Sequence, residues 1–408
     1  MPSLIVGVVA ETAHVERRVA LDPEAVARMV KTGRAVLFES GAGTAAGFPD
    51  ESYLVAGATR AERAEVIANS DVLGIVGAPS DDIVDALHPG QLLIGLLDPL
   101  NNLALVQALA SKKVTAAAFE LLPRTLSRAQ SMDALSSQAS AAGYRAAIVA
   151  AESFGRYLPM MITASGTARP ASVIVIGTGV AGLQAIGTAK RLGAVVTGYD
   201  VRPASRGEVE SLGAQFQTSS IAEGAAAGGY ARALTADEQA QQQQELADAL
   251  TAFDIIITTA RVPGHTPPLL VSEATIAALK PGSVCVDLAA SERGGNVQGS
   301  INGKRITTPG GVVIVGGGDL ASDLPASSSQ MYARNISALL DSLLVGGAVT
   351  IDPADEIQRS VLVCHDGEII NATLRTALHL EPTALDARQA APVEPGATSL
   401  MNQKVQRA

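Results

Sequence analysis

Ser172-Val-Ile-Val-Ile-Gly177-Thr-Gly179-Val-Ala-Gly182 is the stretch on which the reading of this chain turns. An apolar, β-branched run reads as a buried strand, and an Ala-rich helical segment follows the glycines. The spacing assigns each glycine a task. Gly177 permits a tight turn, Gly179 lets the backbone approach a pyrophosphate, and Gly182 lets the helix lie close to the strand with its N-terminal amides facing the anion. The next strand, 194–199, ends at Asp200, eighteen positions beyond Gly182. A carboxylate there accepts hydrogen bonds from adenosine ribose hydroxyls and repels a 2′-phosphate. Arg202 and Arg206 argue the other way, but the strand-end carboxylate decides for NAD. The bland alternative is a glycine-rich structural turn.

Working outward, further strands are expected at 253–259, 283–287 and 312–315, and an earlier set at 4–10, 34–38, 71–76, 91–97 and 113–119. Segments with helical spacing separate them, the alternation of a parallel sheet covered by helices. Asp22 and Pro23 mark one helix start, ahead of Val26, Met29 and Val30. An Ala-rich helix is expected from Asp133 to Tyr157. Another, at 328–345, follows Pro325 and buries Met331, Ile336, Leu339, Leu340 and Leu343. The expected architecture is α/β: two Rossmann-like, doubly wound parallel-sheet domains joined by long helices, with a cofactor cleft between them. Residues 1–132 plus 325–382 form the first domain, 133–324 the NAD(H)-binding domain, and 383–408 a mobile tail. Gly41, Gly43 and Gly47, and the run 316–318, miss the fingerprint and read as turns, so one dinucleotide is expected.

The 408 residues exceed one ordinary core, and a 47% hydrophobic fraction with only 3% aromatics suits close packing of small side chains. A net charge of −10 without a basic run argues against nucleic acid. Cys285 and Cys364 lack CxxC partners, which supports neither a disulfide framework nor a metal site. No signal peptide is read at the N-terminus. The uncharged run 171–189 is divided by glycines, so no bilayer span is expected and a cytoplasmic location fits. His14, His88, His265, His365 and His379 show no triad or ligand spacing. Hydride transfer between two nicotinamides releases no proton, so a site for it needs ring orientation more than an acid or base.

A polar cluster, Arg124, Ser127, Arg128, Gln130, Asp133, Ser136 and Gln138, leads into the first long helix. Gln130 can hold a carboxamide or ribose and Asp133 can tie back an arginine; helix capping explains the pattern equally well. The run from Arg128 to Gln138, then Ala142-Gly-Tyr-Arg-Ala146, Gly177 to Gln184, Ala189-Lys-Arg-Leu-Gly-Ala194, Gly228-Gly-Tyr-Ala231 and Lys280 to Ala289 resembles domain I of the proton-translocating nicotinamide nucleotide transhydrogenases. The resemblance spans about residues 4–345. It implies that Gln130, Asp133 and Ser136 position the nicotinamide end, with Gln130, Asp133 and Arg128 nearest the chemistry and Arg124 and Ser127 beside them. It also implies that Val180, Ala181 and Gly182 with Asp200, Val201 and Arg202 hold the adenosine end. A loop bearing Gly229 and Tyr230 closes over the cofactor, and Gln242 and Arg261 line it. NAD(H) on this chain, NADP(H) on a partner subunit beside membrane subunits, a homodimer and peripheral membrane association are likewise implied.

Departures from the family pattern are an extra residue between Arg124 and Arg128, Arg261 for leucine, His265 for a basic residue, one added residue in 287–296, and Asp323 for arginine. Two rival readings stand beside this one. An alanine-dehydrogenase-like enzyme would use Arg18 as a carboxylate clamp, but 71–79 holds no lysine and 90–100 no histidine. The other rival is a noncatalytic NAD(H)-binding assembly subunit.

Overall fold

Each parallel sheet forms because runs too apolar to face water are separated by helices that cover both faces. The computed structural model describes residues 4–13, 15–221, 235–261, 266–352 and 354–382. Toward the N-terminus lie β1 (Ile5–Val8), β2 (Ala35–Glu39), β3 (Thr59–Ala61), β4 (Val72–Gly74), β5 (Leu92–Gly95) and β6 (Thr115–Ala118). An isolated hairpin, β7 (Met161–Thr163) and β8 (Gly166–Ala168), leads to β9 (Ser172–Ile176), β10 (Val195–Tyr199), β11 (Gln215–Gln217), β12 (Ile255–Thr258), β13 (Val284–Asp287), β14 (Arg305–Thr307) and β15 (Val313–Gly316). A second hairpin, β16 (Leu344–Val345) and β17 (Ala348–Val349), precedes β18 (Leu362–His365) and β19 (Glu368–Ile369).

The first sheet runs β19-β18-β6-β5-β4-β1-β2-β3 and the second β11-β10-β9-β12-β13-β15-β14. The six parallel strands of each follow the same doubly wound order, which reverses between β1 and β4 in one sheet and between β9 and β12 in the other. Ligands bind beyond the strand carboxyl ends at such reversals. Antiparallel β18 and β14 extend the sheets at one edge each. Each sheet is sandwiched between two cores: Val6, Val26 and Ile336 on one face of the first and Leu73, Leu93 and Leu109 on the other; Val173, Ile186 and Val286 against Ile174, Leu250 and Ile314 in the second.

The helix Ala134–Ser153, capped by Asp133 through the Ser136 N–H, is shorter than the expected 133–157 and gives way at Phe154 to extended backbone. The helix Pro325–Ser342 starts three residues before the expected 328, because proline needs no N–H partner at the first helical position. The second helix is tied to the first and to the turn before it: Asn335 donates to the Ser131 carbonyl at 2.9 Å, and Ser137 donates to the Asn335 side-chain Oδ1 at 2.7 Å. Strands β3, β11, β14, β18 and β19 were not foreseen. All are edge strands or pair at an edge, and most have only two or three residues, too few for a period to register. Tail residues 383–408 lie outside the described residues. No described helix is long and apolar enough to cross a membrane.

Candidate dinucleotide site

Gly177, at the carboxyl end of β9, has φ +90°, and a Cβ there would stand 2.5 Å from the Thr259 hydroxyl. A Cβ on Gly182 would lie 1.9 Å from the Gly177 carbonyl oxygen, so this contact sets the distance between turn and helix. Gly179 differs, because a Cβ there meets nothing within 4 Å. It precedes the helix Val180–Arg191 without a side-chain cap, which leaves the first helical N–H groups directed at open space. Gly179 and Val180 are exposed, Ala181 is half-buried and Gly182 buried. An uncapped N-terminus with open space at Gly179 fits a pyrophosphate.

Asp200, 5% exposed, sits one strand over. It accepts from the Thr178 N–H and hydroxyl, both at 2.9 Å, and from the Arg202 N–H, Nε and guanidinium NH2 at 2.9, 3.0 and 2.9 Å. Burial alone would raise its pKa; the bonds from Arg202 and Thr178 outweigh it and hold the carboxyl at about 2. Arg206 pairs with Glu210 at 3.7 Å and lies 4.8 Å over the Phe216 ring. Both arginines that argued for a 2′-phosphate are therefore engaged elsewhere. Val201, 51% exposed, lies beside them. Gln242 donates to buried Ser219 at 3.1 Å, and Gly229 and Tyr230 lie outside the described residues.

Arg261 follows β12 and is exposed, its guanidinium 3.5 Å from the Leu288 carbonyl oxygen. It shares the strand reversal with the glycine turn. The Ala134–Ser153 helix reaches the same place, since a Cβ on Gly143 would stand 2.0 Å from the Ala181 carbonyl oxygen. Seven residues earlier on that helix, about 10 Å by helical rise, Ser136 donates to Asp133 at 2.6 Å. Arg124 reaches Asp133 at 2.9 Å and Ser136 at 2.7 Å. Burial opposes ionisation of Asp133, but the Ser136 and Arg124 bonds prevail and lower its pKa. Gln130 and Ser127 are exposed on the 3-10 turn Ser127–Met132, and no other described residue bonds either side chain. Arg128 is held at 2.6 Å by Asp355, which caps the helix Glu356–Val361. Arg128 and Gln130 thus stand apart from the Arg124–Asp133–Ser136 triad.

The equivalent reversal in the first sheet is filled by the chain itself. Glu11 accepts from the Val76 and Gly77 N–H groups at 2.6 and 3.3 Å, and the fully buried Tyr332 hydroxyl donates to the Ile75 carbonyl at 2.9 Å. Burial pushes the Glu11 carboxyl up to about 7. Arg18 gives Nε and NH2 to Glu16 at 2.7 and 2.6 Å and NH1 to Gln138 at 2.8 Å. Its guanidinium edges are spent internally. Asp323 accepts from Arg145 at 3.4 Å, and Arg293, within the longer 287–296 segment, donates to Asn101 across the two domains. Thr178, Thr259 and Asn296 were not singled out from sequence; Thr178 and Thr259 carry only the signal that small polar residues follow buried strands, and Asn296, well beyond β13, carries none. His365 meets Thr115 at 2.9 Å, and His14 and His265 lie outside the described residues. No group of potential metal ligands occurs among the described residues.

Comparison with known proteins gives family matches to "Alanine dehydrogenase/PNT, N-terminal domain" over residues 7–142 and "Alanine dehydrogenase/PNT, C-terminal domain" over 146–372. The chain is 41% identical to an NAD(P) transhydrogenase alpha-subunit protein of Rickettsia prowazekii, across 88% of this chain and 94% of that one. A solved transhydrogenase from Sinorhizobium meliloti superposes with TM-score 0.81 at 40% identity, covering 90% of this chain and 100% of the other. An L-alanine dehydrogenase shares the fold, with TM-score 0.75 at 22% identity over 92% of this chain and 99% of that one.

Proposed function

Given that this chain belongs to the alanine dehydrogenase/PNT family, we propose that it is the NAD(H)-binding subunit of a membrane proton-translocating transhydrogenase, passing hydride between its own nicotinamide and that of NADP held by a partner subunit. The observation that carries the reading is the open space at Gly179 before an uncapped helix, with the ionised Asp200 at the next strand end. The pyrophosphate would lie on the N–H groups of Val180, Ala181 and Gly182, the adenosine ribose beside Asp200, Val201 and Arg202, and the nicotinamide toward Asp133 and Ser136. Gly177, Gly179, Gln242 and Arg261 would complete the enclosure; Gly229 and Tyr230, outside the described residues, belong to the same proposal. When bound, the cofactor supplies the hydride chemistry. Asp133, kept ionised, holds Arg124 and Ser136 in one geometry, in which they would meet the nicotinamide, and Gln130, Arg128 and Ser127 would line the approach. For Arg128 to join, its pair with Asp355 must open.

No proton need leave such a site, so the proton path belongs to the membrane partners, with which this chain associates from the cytoplasmic side as a homodimer. The alanine-dehydrogenase alternative needs a carboxylate clamp, but Glu16 and Gln138 occupy Arg18, and Glu11 fills the space at Gly77. A cyclic assay with the purified chain and an NADP-binding partner tests the assignment. Nucleotide-to-nucleotide transfer that requires the partner is expected. Alanine oxidation by the chain alone, or NADH binding with no transfer, would overturn it in favour of the dehydrogenase or the assembly-subunit reading respectively.

A further inference from the structure

We infer that Thr259 and Asn296, neither placed to react, are positioning residues that set the glycine turn and the backbone entering Arg261 in one binding geometry; this deepens the NAD(H) reading and rests on it. Thr259 is the first residue after β12. Its hydroxyl donates to the Gly177 carbonyl at 2.9 Å and shares the Ile176 carbonyl at 3.2 Å. It fills the space that a Cβ on Gly177 would enter at 2.5 Å and one on Gly182 would approach at 3.5 Å. The hydroxyl therefore holds the turn by its carbonyls, while Tyr199 and Asp200 hold the Gly177 and Thr178 N–H groups and the space at Gly179 stays open.

Asn296 acts on the neighbouring residue. It is fully buried, and its carboxamide accepts from the Ala260 N–H at 3.0 Å and donates to the Ala260 and Pro268 carbonyls at 2.9 and 2.8 Å. One side chain thus ties Ala260, the residue before Arg261, to Pro268. The next residue, Val297, gives its N–H at 3.0 Å to fully buried Asp287, which also accepts from the Ser300 hydroxyl at 2.6 Å. A buried amide with three backbone partners in a low-dielectric setting fixes the backbone of Ala260 against that of Pro268. Three strand ends, β9, β12 and β13, are locked together where the sheet order reverses.

The test is NADH fluorescence titration of the full chain, thermal melting, and the partner-dependent transfer assay, on Thr259→Val, Thr259→Ser and Asn296→Ala. Losing a buried polar contact of about 1–3 kcal/mol predicts a Kd and KM for NADH raised about tenfold or more in Thr259→Val and Asn296→Ala. The kcat at saturating NADH should stay within about threefold of the parent. Thr259→Ser keeps the hydroxyl and should bind as the parent does. Should Asn296→Ala fail to fold, the isosteric Thr259→Val decides alone. Unchanged NADH affinity in a folded Thr259→Val, or equal weakening in Thr259→Ser, overturns the inference. Failure of the parent chain to bind NADH instead removes the functional reading itself.

Discussion

At the residue scale, two carboxyls illustrate opposite outcomes of burial. Asp200 is buried but accepts five hydrogen bonds, and charge-assisted bonds outweigh desolvation. Its folded pKa near 2 lies below the ordinary 3.8. Its contribution to stability is therefore fully present above about pH 4 and disappears as pH falls through about 2. Asp200→Asn should lose this acid-range dependence in urea melts and weaken NADH about tenfold, read by fluorescence titration. Glu11 accepts only two backbone N–H groups, and burial wins. Both folded and unfolded forms are protonated below the ordinary 4.5. Between there and about 7 the unfolded chain ionises first, so this residue makes stability fall as pH rises, with no further change above. Glu11→Gln should flatten that slope, seen as a gain in urea midpoint over the parent that grows from pH 5 to about 7.5.

At the element scale, the contact between the helices Ala134–Ser153 and Val180–Arg191 is set by a missing side chain. Alanine for Gly143 would gain about 1 kcal/mol of helix propensity. It would also place a Cβ 2.0 Å from the Ala181 carbonyl, in backbone that cannot turn aside. Overpacking of about 1–3 kcal/mol wins, so Gly143→Ala should lower the urea midpoint and weaken NADH together, because the displaced backbone is that of the anion-facing turn. The elements that the sequence announced were those with several consecutive apolar residues or a strong start signal, such as β9, β12 and the Asp22-capped helix. Of the short antiparallel additions, β14 and β19 have too few residues to show such a pattern, and β18 takes its place from β6, far away in the chain.

At the scale of the whole molecule, two sheets share the same winding, and among the described residues Glu11 and Tyr332 occupy the strand reversal of the first. A ligand that binds only the folded form at about 100 times its Kd adds about 2.7 kcal/mol. NADH should accordingly raise the thermal midpoint of the chain, and an unchanged midpoint at saturation would contradict binding at the glycine turn. Sequence alone determined the α/β class, the glycine turn with its helix, and Asp200 at the next strand end, because each rests on local spacing. The tertiary structure decided that Arg18 is consumed by Glu16 and by Gln138, 120 positions away, that Arg128 turns to Asp355, and that Thr259 and Asn296 brace the turn. Those partners are brought together by strand order and helix packing, and a hydrogen bond depends on a few tenths of an ångström that no one-dimensional spacing encodes.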